Sequence, residues 1–155
     1  MKPTFRSGTP EDIPRLQELA QESATAAHWS LAEYEQLFAP RLVQQSCLLV
    51  AEIAGTVNGF LVARGLEGDW EIENIVVSPD LRRQGLGTEL MRGFLNQAAL
   101  CQASGTAVKT VHLEVRESNL AAQELYKTLG FANIGRRKSY YSGPSEDAIL
   151  LKLSF

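Results

Sequence analysis

Basic residues are too few here for a nucleic-acid binder. Fifteen Lys and Arg stand against eighteen Asp and Glu, a formal charge of -3, and the pI is near 5.4. Proteins that grip a phosphate backbone carry a basic excess or a basic stripe. The local candidates, Arg82-Arg83 and Arg136-Arg137-Lys138, are short. Cysteine is scarce as well. Cys47 and Cys101 lie far apart, show no metal-ligand spacing and sit among apolar neighbours, the setting of reduced core thiols. Nothing resembles a ligand cluster, so no metal is expected. No stretch approaches the ~20 apolar residues of a membrane span, and Met1 to Phe5 has no apolar signal core. A cytoplasmic protein with no membrane partner is the default expectation. Repeats, low-complexity tracts and linkers are missing too, so one domain over residues 1–155 is expected.

What remains is an ordinary globular composition, 45% apolar and 21% charged, in which short strands and helices alternate. Thr4-Phe5-Arg6 reads as a first strand. Thr9 caps a helix with Pro10 at its first position and Ile13, Leu16, Leu19 and Ala20 on one face. Ser30 and Glu33 form a capping box for a second helix, through Tyr34 and Leu37-Phe38, that should stop before Pro40. Three strands follow, Cys47 to Ile53, Val57 to Ala63 and about Trp70 to Val77, the first two joined by the Ala54-Gly55-Thr56 turn. A helix runs from Gly85 to about Cys101 with Leu86, Leu90, Phe94 and Leu95 inward. Val111 to Val115 is a strand; Ser118 is expected to cap the next helix, which Gly130 closes. Strands near Phe131 to Tyr141 and Ala148 to Leu153 complete an α/β chain of order βααβββαβαββ around one mixed sheet.

The stretch from Asn74 to Thr88 carries most information. A strand enters a loop with Gly85 and Gly87, and a helix begins at once. The unpaired N–H groups of the first helical turn, with the helix dipole, make an anion site suited to a pyrophosphate. Arg82 and Arg83 add positive charge. A Walker loop would need a lysine before Thr88, and a dinucleotide fingerprint would need a third spaced glycine. A tight turn without a ligand is the plain structural alternative.

Downstream, Glu114 interrupts the apolar run of Val111, Leu113 and Val115, on the strand face shared with His112. Tyr126 lies on the following helix. A carboxylate and a phenol suit the two proton problems of amine acylation, taking a proton from the amine and supplying one to the leaving group. A solvated strand residue and a core aromatic are the plainer readings of the two. Glu71 and Glu73, on the strand before the phosphate turn, are expected to share one face and Ile72 and Asn74 the other. Glu73 is the competing base.

Arg82-Arg83-Gln84-Gly85-Leu86-Gly87 resembles the Gln/Arg-x-x-Gly-x-Gly/Ala motif of the GNAT acetyltransferases, and the order of elements from Thr4 to Leu153 is similar to the GNAT fold. The resemblance implies acetyl-CoA as cosubstrate. Backbone groups of Arg82, Arg83, Gln84, Gly85, Leu86, Gly87 and Thr88 would hold its pyrophosphate. Ile75, Val76 and Val77 would run beside the pantetheine arm, and Asn119 would contact the cofactor.

A narrower resemblance rests on Leu-Glu-Val-Arg-x-Ser-Asn from Leu113, Leu-Tyr-x-x-Leu-Gly-Phe from Leu125, Arg136-Arg137 with Tyr140-Tyr141, Glu146-Asp147-Ala148-Ile149, and Trp29-Ser30. These are similar to the bacterial ribosomal-protein alanine N-acetyltransferases, although His28 stands where that group usually has proline. The resemblance implies Glu114 as general base, Tyr126 as general acid, and the N-terminal alanine of a basic small-subunit ribosomal protein as acceptor. Trp29, Glu73, Asn74, Tyr140 and Tyr141 would lie around that acceptor. A small amine or a lysine as acceptor, or a non-catalytic acyl-CoA-binding module, are the other readings the motifs leave open.

Overall fold

Alternating strands and amphipathic helices of this length can bury their apolar sides only by stacking in layers. The computed structural model describes residues 2–23, 26–39, 45–101 and 109–155. Its strands are β1 (Thr4–Ser7), β2 (Gln45–Ile53), β3 (Thr56–Leu66), β4 (Asp69–Val77), β5 (Thr110–Arg116), β6 (Ala132–Tyr141) and β7 (Glu146–Ser154). The α-helices are α1 (Ile13–Gln21), α2 (Leu31–Glu35), α3 (Leu86–Cys101) and α4 (Leu120–Thr128), in the order expected, with short 3-10 turns such as Pro79–Leu81 between elements. Pro40, expected to end α2, lies outside the described residues, as does the side chain of Cys101.

The seven strands form one sheet in the order β1-β2-β3-β4-β5-β7-β6. Among the described residues, neighbouring strands pair antiparallel except β4 with β5, which are parallel. One core lies under α1 and α2 and holds Leu16, Leu19, Tyr34, Val50, Phe60, Val62 and Val76. The other lies under α3 and α4 and holds Leu61, Trp70, Leu90, Phe94, Leu113, Val115 and Tyr126. Burying one such side chain contributes about 1.5–3 kcal/mol. A cap such as Ser30, which accepts from the Glu33 N–H at 3.2 Å, adds about 1 kcal/mol. The helices therefore owe their places chiefly to the cores.

Two local expectations are corrected. Asn119, not Ser118, caps α4: its side chain accepts from the Ala122 N–H at 3.2 Å. The Ser118 N–H donates instead to Glu146 Oε1 at 2.6 Å, which places Ser118 one residue outside the helix. The second correction concerns β4. Its register with β3 jumps from Ala63↔Ile72 to Val62↔Asn74, leaving Glu73 as the extra residue of a β-bulge. Ile72 consequently packs in the α3/α4 core, while Asn74 is paired with Val62 of the α1/α2 core. Strict alternation would have kept the two on one face, and the bulge reverses it.

The same strand supplies the opening in the sheet. β4 and β5 stay in register only from Asp69↔Thr110 to Glu71↔His112. β5 continues alongside β7 as far as Arg116↔Ala148. Beyond Glu71, the side of β4 that faces β5 has no registered strand partner among the described residues.

Candidate active site

Where β4 and β5 part, a cleft of 330 Å³ opens between them, floored by Ile72, Leu113 and Val115. β4 brings Glu73, Asn74 and Ile75 to it, β5 brings Glu114 and Arg116, α4 brings Asn119 and Tyr126, and β6 brings Tyr141. Residues far apart in the chain thus meet in one hollow.

Glu114 projects from β5 on the face opposite Leu113 and Val115, as alternation predicts; those two are buried. Its Oε1 lies 3.4 Å from Arg137 Nε, and its side chain keeps 19% exposure. Glu73 is held more firmly, with Arg64 Nε 2.5 Å from its Oε1. Each carboxylate thus has an arginine partner, at 2.5 Å for Glu73 and 3.4 Å for Glu114. Glu71 lines the adjoining hollow with Glu114 and Arg137. Burial, then the charges of Glu114 and Glu73, push its carboxyl above the usual range.

Tyr126 is buried on the inner face of α4, with its ring edge-on to Phe131 at 5.8 Å. Burial, aided by neighbouring Tyr141, pushes its phenol up to about 12. Tyr141 is also pushed up to about 12, by burial and then by the Glu114 charge. Tyr140 is half exposed and stacks edge-on to Tyr141 at 5.1 Å. The Glu114 charge is the main cause that raises the Tyr140 phenol, with a hydrogen bond between the two side chains adding to it.

At the far end of β4 the chain passes through Pro79–Leu81 and a turn before α3. Arg83 and Gly85 there take φ of 62° and 86°, left-handed conformations that glycine adopts at no cost. A Cβ on Gly85 would meet nothing within 4 Å, so the space above the turn is open. Gly87 sits close to Leu125 and Val77; a Cβ there would lie 3.4 Å from Leu125 Cδ1. The first intrahelical bond from this turn runs from the Glu89 N–H to the Gly85 carbonyl at 3.0 Å. The N–H groups of Leu86, Gly87 and Thr88 precede it and are left to whatever occupies the turn. Arg82 faces elsewhere: its guanidinium donates to the carbonyls of Val77 at 3.4 Å and Glu22 at 3.5 Å. Gln84 donates to the Asp80 carbonyl at 3.1 Å.

The other expected site residues separate into two groups. Val76 is buried in the α1/α2 core, and Val77 packs toward α3, so any ligand contact from them is through the backbone. Trp29 stacks edge-on to Tyr34 at 5.4 Å outside the cleft lining. Asn74 uses its amide to accept from the N–H and donate to the carbonyl of Ala27, each at 3.4 Å, which ties the α1–α2 connection to β4. Sequence reasoning missed Arg116 as a lining residue, although it stands in the motif around Glu114, and it missed Ala26 and Ala27, whose sequence carries no signal of the Asn74 contact.

The partly unpaired β4 strand, the carboxylate of Glu114 and the phenol of Tyr126 thus border one cleft. Residues 13–131 match the model of the Acetyltransferase (GNAT) family, and the chain belongs to that family of acyltransferases. It is 32% identical over 152 residues to the ribosomal protein bS18-alanine N-acetyltransferase of Escherichia coli K12, covering 97% of this chain and 96% of that one. The crystal structure of the ribosomal-protein-S18-alanine N-acetyltransferase from Escherichia coli superposes with a TM-score of 0.84 at 30% identity, covering 99% of this chain and 94% of the other. Ard1 from Thermoplasma volcanium follows at a TM-score of 0.82 and 29% identity, covering 99% and 98%.

Proposed function

We propose that the chain acetylates the α-amino group of a protein N-terminus, with acetyl-CoA as donor, and that its acceptor is the N-terminal alanine of a basic small-subunit ribosomal protein. The observation that carries the reading is the convergence of Glu114 and Tyr126 beside the open edge of β4. Near full-length similarity to the Escherichia coli alanine N-acetyltransferase supports the choice of acceptor. A ribosomal acceptor implies a cytoplasmic site of action.

The residues fit the donor. The N–H groups of Leu86, Gly87 and Thr88 and the open space over Gly85 suit a pyrophosphate. The unpaired side of β4 offers backbone groups to the amide-bearing arm, and Asn119 stands at the start of α4 beside it. When bound, acetyl-CoA supplies an acetyl group already activated as a thioester, so no metal is required.

Glu114 takes the proton that the amine gives up as its nitrogen forms the new bond to the acetyl carbon, directly or through one water. An α-amino group titrates near ~7.7–8.0 and a lysine near ~10.4, so a single carboxylate at neutral pH is better matched to an N-terminus. Tyr126 lines the same cleft and would stand by the departing sulfur. Its phenol, at about 12, stays protonated and always loaded. Complete transfer to a thiolate, ordinarily near ~8.5, is uphill. Its hydrogen bond to the charge developing on sulfur therefore does most of the stabilising.

The test is a coupled free-thiol assay with acetyl-CoA and three acceptors: a peptide beginning Ala-Arg, the same peptide N-blocked, and spermidine. Transfer to the free peptide alone supports the proposal. Transfer to spermidine, or to the blocked peptide through a lysine, rejects an N-terminal acceptor and leaves the family assignment intact.

A further inference from the structure

Two charged motifs that the proposed chemistry leaves unused, Arg116 at the end of β5 and Glu146-Asp147 at the start of β7, meet beside the cleft that Arg116 and Tyr141 line. Arg116 Nη1 lies 3.1 Å from Glu146 Oε2, with the side chains only 19% and 13% exposed. The other carboxylate oxygen of Glu146 accepts from the Ser118 N–H at 2.6 Å. These bonds hold the Glu146 carboxyl below the usual carboxylate range. The Arg116 guanidinium carbon also lies over the Tyr141 ring, 4.4 Å from its centroid.

One side chain thus joins the turn that opens α4 to the β6–β7 hairpin that carries the tyrosine pair. An arginine suits this work because its planar head can bond a carboxylate at its edge while stacking on an aromatic face, which lysine cannot do. Farther out, Arg136 makes a second link, 2.8 Å from both Glu117 Oε1 and Asp147 Oδ2. That arginine side chain is 45% exposed, so the outer link is screened and worth little. The inner link is the one placed to set the width of the cleft.

We propose that Arg116 and Glu146 are positioning residues that hold Tyr141 as a fixed wall of the acceptor side, so that the peptide enters a gap of set width beside Glu114. The proposal rests on the reading of Tyr141 as an acceptor-side residue. Among the described residues the side-chain hydrogen bonds and ion pairs of Arg116 and Glu146 run to each other and to Ser118, not to the phosphate turn or to β4, so their loss should act chiefly on the acceptor.

The experiment measures steady-state kinetics of the full chain with acetyl-CoA and the Ala-Arg peptide, with Tm recorded for each variant. In Glu146→Gln the peptide KM is expected to rise about tenfold, equivalent to about 1.4 kcal/mol, with kcat and the acetyl-CoA KM nearly unchanged. Arg116→Ala should do the same. Arg116→Lys should recover only part of the loss, since it restores the charge pair without the stacking. Arg136→Gln should leave all three parameters as they are. An unchanged peptide KM in a folded Glu146→Gln, or an equal rise in both KM values, overturns the proposal. Tyr141→Ala separates the two levels of inference. A raised peptide KM there, with Glu146→Gln silent, rejects the positioning role alone. An unchanged KM rejects the placement of Tyr141 on the acceptor side, and the positioning role falls with it.

Discussion

The two ends of the cleft are built on different plans. The proposed donor end is nearly continuous in the chain: β4, the turn through Gly85 and the first turn of α3 follow one another from Asp69 to Thr88, with only Asn119 added from the start of α4. The proposed acceptor end is assembled from the α1–α2 connection, the end of β5 and the β6–β7 hairpin. A continuous site can be written as a short motif and needs few contacts to hold its shape. An assembled site depends on bridges such as Asn74 to Ala27 and Arg116 to Glu146, 47 and 30 residues apart. Substitutions at the two ends should therefore fail in different ways.

The hardest test of that contrast removes the residue that serves both ends. Glu114→Gln is expected to lower kcat/KM by about 10²–10⁴-fold, while Glu73→Gln, which removes the ion pair with Arg64, should lower it far less; equal losses would reject Glu114 as the base. Tyr126→Phe should lower kcat about tenfold, or about 1.4 kcal/mol, and leave both KM values alone. At the donor end, Gly85→Ala must hold an L-residue at positive φ, a cost of about 1–2 kcal/mol. Its acetyl-CoA KM should rise several-fold with the peptide KM unmoved, and a change confined to the peptide KM would invert the assignment of the two ends.

The smallest effect concerns pH. The buried Tyr126 phenol stands at about 12 in the folded chain against ~10 when unfolded. Its folded value is the higher one, so its contribution to stability is whole below pH ~10 and is lost as pH rises toward 12. Thermal melts between those limits should therefore fall less steeply for Tyr126→Phe than for the parent chain. Identical slopes would show that the ring is not buried as described.

The element order was legible because periodicity and turn residues are local signals, and every helix face read from spacing at Ile13, Leu16, Leu19 and Ala20 is buried. Legibility ended where a register shift or a distant partner intervened. The bulge at Glu73 cannot be seen in Trp-Glu-Ile-Glu-Asn-Ile, which alternates well enough on paper, yet it decides that Asn74 faces Ala27. Ser118 was expected to cap α4, but serine and asparagine both cap well and spacing cannot tell neighbouring positions apart; the Asn119 side chain is the one that accepts from the Ala122 N–H. The Arg82 side chain illustrates the same limit at the donor end. Its charge was legible, but its turn toward the Val77 and Glu22 carbonyls was not.

The parting of β4 from β5 after Glu71 has a thermodynamic side. A sheet with one unfilled seam is completed by whatever lies along it, so under the proposed reading the donor acts as a guest strand. The folded chain then gains RT ln(1 + [L]/Kd) from its own cosubstrate, about 2.7 kcal/mol at a hundredfold excess over Kd. Its lifetime against unfolding and proteolysis would rise and fall with the acetyl-CoA supply, which makes the abundance of the enzyme a record of the metabolic state it works in.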